Sequence, residues 1–260
     1  MLIALPYVGV FLIASFAWYS KKLTLFGTFA AMFVGISITW GLGWIGLLTL
    51  GLFFFSSSFL SSFNHHLKKE EINEKGSQRD AMQVFANGGV AAVMAILYGI
   101  VENPLLIVAF IASLAAANAD TWASELGPLS KRKPLHIATF KRVDKGTSGA
   151  ISLLGTCAAL AGSFVIASLI GFVEISNQFI FFFIISVAGF LGNVIDTVIG
   201  AYGQVLYECK RCMLKTEKRI HCGKRTEHIR GFKWLNNDIV NVSCTASGAI
   251  IALLFGWLFV

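Results

Sequence analysis

The sequence predicts an all-α, polytopic transmembrane helical bundle of about eight spans, and three observations carry that expectation. The 260-residue chain is 56% hydrophobic and only 13% charged, too apolar for a water-soluble domain of that length. Its uncharged runs repeatedly approach the roughly 20 residues that a helix needs to cross the hydrocarbon layer. All 21 Lys and Arg residues fall into four segments, at 21–22, 68–79, 131–145 and 210–233, and an eight-span alternation puts all four on one side of the membrane.

Taken in order, the spans are expected near 2–19, 23–40, 43–62, 81–101, 105–125, 148–172, 178–206 and 238–260. The first has no basic leader and runs into Lys21-Lys22 without a small-residue cleavage pattern, so it reads as a retained span and not as a signal peptide. The second and third are separated only by Gly41-Leu42-Gly43, and a re-entrant bend there would leave the count anywhere from seven to nine. Glu102-Asn103-Pro104 separates the fourth from the fifth, and Glu174 to Asn177 the sixth from the seventh; neither turn holds a cation. The positive-inside rule assigns the basic loops, near 63–80, 128–147 and 207–236, to the cytoplasm and both termini to the outside, as expected of a multi-pass protein of a bacterial plasma membrane. No linker divides the chain, so 1–260 reads as one integral membrane domain. The net charge of +7 is a topology signal in this reading, and no nucleic-acid partner is expected.

Polar residues inside spans are costly and tend to mark sites. The fourth span carries Arg79, Gln83 and Asn87 at four-residue intervals. The fifth ends in Asn118, Asp120, Ser124 and Glu125; the seventh carries Asn193 and Asp196, followed by Gln204; the eighth opens with Asn237, Asp238 and Asn241. All lie toward the basic side, so they are expected to converge on one polar pocket there. Plainer readings exist: Asp120 and Glu125 suit a solvated interface, and Asn237 or Asp238 suits a helix cap. Asp196 is harder to explain away, because few cations are available inside the spans to pair with it. Carboxylates that lack cations suit a hard divalent ion shared with phosphates, which makes Asp120, Asp196 and Asp238 the expected Mg²⁺ ligands. The adjoining loop offers Lys141, Arg142 and Lys145, and then Gly146-Thr147-Ser148-Gly149 as a phosphate seat opening the sixth helix. An ordinary N-cap with a tight turn would give the same string.

Of the five cysteines, Cys157 and Cys244 fall in spans and read as packed thiols. Cys209, Cys212, His221 and Cys222 offer four soft ligands suited to zinc. The adjacent His221 and Cys222 reach one ion only through a tight turn, which Gly223 permits. The alternative is a set of reduced thiols in a basic loop.

Together, the segment Arg79 to Gly89, the string Asn118-Ala119-Asp120-Thr121-Trp122-Ala123-Ser124-Glu125-Leu126-Gly127, the Gly146–Gly149 turn, Asp196-Thr197 with Gly200-Ala201, Gln204, and Asn237-Asp238 with Asn241 resemble the integral membrane family called domain of unknown function 92. That family includes plant and cyanobacterial phytyl-phosphate kinases. The resemblance covers nearly the whole chain. It implies a Mg²⁺-dependent kinase, with CTP as donor, that converts an isoprenyl monophosphate such as phytyl phosphate to the diphosphate. On this reading Asp120, Glu125, Asp196 and Arg79 do the chemistry, and the amides, hydroxyls and loop cations named above hold the substrates. A more distant kinship with CDP-diacylglycerol synthases breaks down in the basic loop. There Arg142-Val143-Asp144-Lys145-Gly146-Thr147 replaces their Ser-Pro and Lys-Thr-x-Glu-Gly run, so the resemblance implies phosphate binding more than base specificity. A lipid-phosphate or small-anion transporter or flippase, a CTP-dependent cytidylyltransferase and a silent scaffold are the competing readings. Nucleotide-independent movement would mark the first, and pyrophosphate release the second.

Overall fold

The computed structural model of the chain describes residues 4–64 and 78–259; Lys68, Lys69 and Lys75, with most of the expected loop near 63–80, lie outside the described residues. Seven helical runs follow: α1 Leu5–Tyr19, α2 Leu25–Asn64, α3 Ala81–Val101, α4 Pro104–Leu126, α5 Leu153–Ala167, α6 Gln178–Tyr202 and α7 Asn237–Gly256. Six are long and apolar enough to cross a membrane, and α1 is a shorter apolar helix.

The α2 run is two spans. Gly43 has φ 55° and ψ −134°, far from helical values, a conformation open to glycine and strained for other residues. The chain doubles back there, so Lys22 Nζ, just before the run, donates to Ser62 Oγ near its end at 2.5 Å. The arms 25–42 and 44–64 are then roughly 27 and 31 Å long at 1.5 Å per residue, close to the hydrocarbon thickness of about 30 Å. With α1 this gives the eight segments expected, and the tight glycine connection is a complete turn.

Sidedness follows from which ends meet. Leu23 pairs with Arg79, and Ser148 reaches Gln204 beyond the end of α6. On the far side Asn177 Nδ2 donates to Phe259 O, and Gly41 abuts the backbone of Ala95. Every described Lys and Arg lies at the first of these two faces.

Caps fix several helix ends. Asp80 and Gln83 form a reciprocal capping box at the start of α3, Asn103 precedes Pro104 at the start of α4, and Ser152 and Asn236 cap α5 and α7. Each such cap contributes about 1 kcal/mol. Three expectations need correction here. The sixth span begins at Leu153, not near 148, because the Ser152 side chain accepts from Gly155 N while Gly146 and Gly149 hold left-handed φ values of 85° and 78°. The Gly146–Gly149 turn therefore precedes the helix and does not open it. The seventh span stops at Tyr202, which leaves Gln204 in the turn beyond it. Neither Asn237 nor Asp238 caps the last helix, because Asn236 does.

Helix α4 is the centre of the bundle, and every residue from Ile107 to Ala119 is buried. Lipid offers no hydrophobic drive between helices, so close approach depends on small side chains. Ala109, Ala112, Ala115, Ala116 and Ala119 line this helix. A Cβ on Gly192 of α6 would stand 2.7 Å from Ala116 Cβ, and one on Gly248 of α7 would stand 2.8 Å from the same atom. Large side chains point the other way: Phe11, Phe26, Phe29, Phe179 and Leu254 are exposed at the periphery.

The basic face also folds. Strands β1 Leu135–His136 and β2 Ala150–Ile151 pair antiparallel; β3 Leu206–Glu208 lies between β4 Lys215–Thr216 and β7 Glu227–Arg230; and β5 Ile220–His221 pairs with β6 Lys224–Arg225.

Candidate functional site

Asp120 in α4 and Asp196 in α6 each lie six residues before the end of their helix, about 9 Å below it. Asn193, one turn from Asp196, is buried and donates from Nδ2 to Asp120 Oδ1 at 3.2 Å. Asp196 lies within electrostatic range of Asp120 and of Glu217. Its Oδ2 is buried and has no hydrogen-bond partner among the described residues, an arrangement that costs free energy unless a cation or proton compensates it. Glu217 comes from the strand lobe and accepts from Gln204 Nε2 at 2.7 Å. Gln204 Oε1 accepts in turn from Ser148 Oγ at 2.5 Å. The Gly146–Gly149 turn is pressed onto α6 at this point: a Cβ on Gly149 would collide with Ala201. Four segments distant in sequence thus meet at the basic-loop end of α6.

The other expected residues divide into groups. Asp120 and Glu125 are five residues apart, roughly 140° around the helix, and they serve different faces of α4. Glu125 is buried, accepts from Ser61 Oγ and lies within electrostatic range of Arg79. The Arg79 guanidinium stands 6.0 and 5.9 Å over the rings of Phe53 and Phe54, a cation–π arrangement. Arg79, Gln83 and Asn87 share the wall of a largely apolar cavity of about 80 Å³ between α1, both arms of α2, and α3. Gln83 spends its carbonyl on the Asp80 capping box, and Asn87 Nδ2 donates to Gln83 O.

Asn118 belongs to neither group. It is fully buried, donates from Nδ2 to Gly162 O at 2.8 Å, and accepts from Ser56 and Ser57 at 3.0 and 3.3 Å. These contacts tie α2 and α5 to α4. Asn118→Leu is expected to lower the thermal midpoint of the detergent-solubilised protein by an amount equivalent to about 2–3 kcal/mol, because Gly162 O and two hydroxyls lose a buried partner. Static light scattering or differential scanning fluorimetry would read it, and an unchanged midpoint would contradict this structural role.

Ser124 is exposed and bonds its own helix at Thr121 O. Lys141, Arg142, Lys145 and Gly146 are exposed in the loop ahead of Ser148, where Arg142 Nη1 donates to Lys133 O. Thr147 Oγ1 donates to Asp144 O. Asp238 is buried in the first turn of α7, between exposed Asn237 and half-buried Asn241.

Sequence reasoning missed Glu217, Arg230 and His136. Arg230 Nη2 donates to Gly200 O at 3.3 Å, Nη1 donates to His136 Nε2 at 3.1 Å, and Nε is buried without a partner among the described residues. Burial first, and then the Arg230 charge, push the His136 imidazole below its ordinary range, consistent with an accepting Nε2. Glu217 is flanked by Lys215 and Lys218 and reads as solvated surface until the lobe folds back. The four soft ligands do meet: one donor atom from each of Cys209, Cys212, His221 and Cys222 falls within 4.8 Å of every other. Backbone N–H of Cys212, then His221 and the N–H of Arg211, lower the Cys209 thiol to about 6. Its neighbour Cys212 raises Cys222 to about 11.

Comparison with known proteins agrees with this architecture. The chain is 32% identical to the uncharacterized membrane protein MJ0933 of Methanocaldococcus jannaschii, over 95% of this chain and 93% of that one. It is 32% identical to Protein PGR of Arabidopsis thaliana over 88% of each. It is 28% identical to the Arabidopsis protein named "Protein VTE6, chloroplastic", over 86% of this chain and 63% of that one. No solved structure matches the chain. The model of the family described as integral membrane protein DUF92 matches residues 8–249, and the chain belongs to that family.

Proposed function

We propose that the chain is a membrane phosphotransferase that moves a phosphoryl group from a nucleoside triphosphate to an isoprenyl monophosphate, giving the diphosphate and a nucleoside diphosphate. CTP is the donor implied by the family resemblance. The observation that carries this reading is the unpartnered buried Oδ2 of Asp196, set beside Asp120 and Glu217 beneath the Ser148–Gln204 bridge. Oxygen donors that converge in this way fit a hard divalent cation. Asp120 and Asp196 would hold Mg²⁺, with Glu217 a stronger third candidate than Asp238 because it already meets Gln204. When bound, the ion supplies charge neutralisation on the transferring phosphoryl oxygens.

The chain's own residues do the rest. The turn at Thr147 and Ser148 and the exposed Lys141, Arg142 and Lys145 take up donor phosphates from the aqueous side, and Gln204 fixes the turn against α6. The acceptor is already anionic, so alignment matters more than a strong base. The cavity beside Arg79, on the Glu125 face of α4, is largely apolar and suits the hydrocarbon part of an amphiphilic acceptor. By the positive-inside rule this face is cytoplasmic, in a bacterial plasma membrane.

The test uses purified protein in detergent with Mg²⁺, γ-labelled CTP or ATP, and a panel of prenyl monophosphates. Label is expected in a prenyl diphosphate, with nucleoside diphosphate released in equal amount. Release of pyrophosphate would indicate cytidylyl transfer. Movement of a lipid phosphate across proteoliposomes without nucleotide turnover would overturn the kinase reading in favour of transport.

A further inference from the structure

The lobe formed by residues 203–236 contains a cluster of metal-ligating side chains that the phosphotransfer reading does not use. Two separate turns supply it. Cys209 and Cys212 sit in the β3–β4 connection, where Met213 N donates to Cys209 O at 2.8 Å and Cys209 N donates to Leu214 O at 3.0 Å, with Met213 at φ 58°. His221 and Cys222 sit in the β5–β6 hairpin, registered by Ile220 opposite Arg225 and His221 opposite Lys224. Its two turn residues, Cys222 and Gly223, have φ of 52° and 71°, as a two-residue type I′ hairpin requires. That geometry solves the problem of adjacent ligands, because a left-handed Cys222 swings its thiol back toward the His221 ring.

Three of the four donor atoms stand at the separations of a single tetrahedral ion, and all four lie within 4.8 Å of one another. With Zn–S about 2.3 Å and Zn–N about 2.0–2.1 Å, tetrahedral angles place two sulfurs about 3.8 Å apart, and a sulfur and a nitrogen about 3.6 Å apart. Cys212 and Cys222 Sγ are 3.8 Å apart; His221 Nδ1 is 3.5 Å from Cys212 Sγ and 3.3 Å from Cys222 Sγ. A disulfide needs sulfurs about 2.05 Å apart, and all five cysteines are free thiols. We infer that Cys209, Cys212, His221 and Cys222 bind one structural Zn²⁺ that clamps the two turns together.

The lobe also has need of such a clamp. Its strands are two to four residues long, and Met213, Ile220, Ile229 and Phe232 are exposed instead of forming a core. Units of this size ordinarily rely on a metal or a disulfide. Three thiolates and one imidazole around Zn²⁺ leave one net negative charge, which the neighbouring Lys210, Arg211, Lys224 and Arg225 stabilise. Four protein ligands leave no open position, so the ion is structural and not catalytic. Its consequence reaches the candidate site, since the same lobe brings Glu217 to Gln204 and Arg230 to Gly200.

The full chain, purified in detergent under reducing conditions without chelator, is expected to carry about one zinc per chain by elemental analysis. Replacement by Co²⁺ should give the visible ligand-field bands of a tetrahedral site and thiolate charge-transfer absorption. Cys212→Ser and Cys222→Ser should each lose the metal, whereas Cys157→Ser, outside the lobe, should retain it. If the lobe variants fail to accumulate, limited proteolysis of wild-type protein reads the same point: chelation should open cleavage within 203–236 and zinc should restore protection. A monodisperse wild-type protein with no zinc and no cobalt–thiolate absorption would overturn the inference. So would a Cys212–Cys222 disulfide detected by mass spectrometry.

Discussion

Asp196→Asn is expected to lower phosphoryl transfer by roughly three orders of magnitude, corresponding to about 4 kcal/mol of transition-state stabilisation, while leaving the protein as stable as before or more so. The pairing of these two effects is the informative part. A buried carboxylate oxygen without a partner costs stability, and an amide of the same shape removes the charge that causes the cost. If Asp196 served packing or pairing alone, its replacement would lower stability and spare turnover. Asp120→Asn should also lose transfer, because Asn193 Nδ2 can still donate to an amide oxygen while the charge is gone. Initial rates across a Mg²⁺ titration, together with thermal midpoints of the same preparations, separate the outcomes. Asp196→Asn within about threefold of wild-type turnover would end the assignment of this cluster as the reaction centre.

Gly192→Leu is expected to abolish accumulation of folded protein. The new Cβ alone would stand 2.7 Å from Ala116 Cβ and 2.8 Å from Cys244 O, and one of those contacts is backbone of a packed helix that cannot swing aside. Overpacking ordinarily costs about 1–3 kcal/mol and sometimes more. Here the remaining atoms of the leucine must also enter a three-helix crossing that has no room for them. Gly51→Ala is the matched control, since nothing lies within 4 Å of a Cβ at that position. It should be neutral or gain up to about 1 kcal/mol from helix propensity. Size-exclusion profiles of detergent-solubilised fluorescent fusions would report both. A monodisperse Gly192→Leu protein at wild-type yield would show that α6 can stand off from α4.

How far the sequence foretells this molecule differs from feature to feature, for identifiable reasons. Span four is legible to the residue because the charges of Arg79 and Asp80 on one side and Glu102 on the other bracket an uncharged run, and the helix ends at those charges. Span six is misread by five residues because Thr147 to Ser152 carries no charge, so a hydropathy criterion cannot separate strand and turn from helix. The reversal at Gly43 is announced by glycines, but only its backbone angles settle a full turn over a re-entrant bend. Within the candidate site, Asn193 and Asp196 share a helical face that spacing reveals. Helical phase also separates Asp120 from Glu125, which shared depth alone does not. Glu217 and Arg230 are a different matter. They reach α6 only because a lobe of short strands folds back across the membrane face, and a local pattern of alternating cations contains nothing about that return path.

The depth at which α4 is buried bears on how the protein is made. A helix with thirteen consecutive buried residues, Ile107 to Ala119, leaves the ribosome before α5, α6 and α7 exist to enclose it. Its most apolar stretch has a mean hydropathy of 1.6, the lowest of the six long helices, so it has the least drive of its own to partition into lipid. Its alanines serve the finished bundle at the expense of insertion. The preceding α3, with a mean hydropathy of 2.0 and only the turn at Glu102 and Asn103 between them, is placed to escort α4 into the bilayer as a hairpin. Biogenesis and packing therefore make opposite demands on the same helix, and the order of helices along the chain reconciles them.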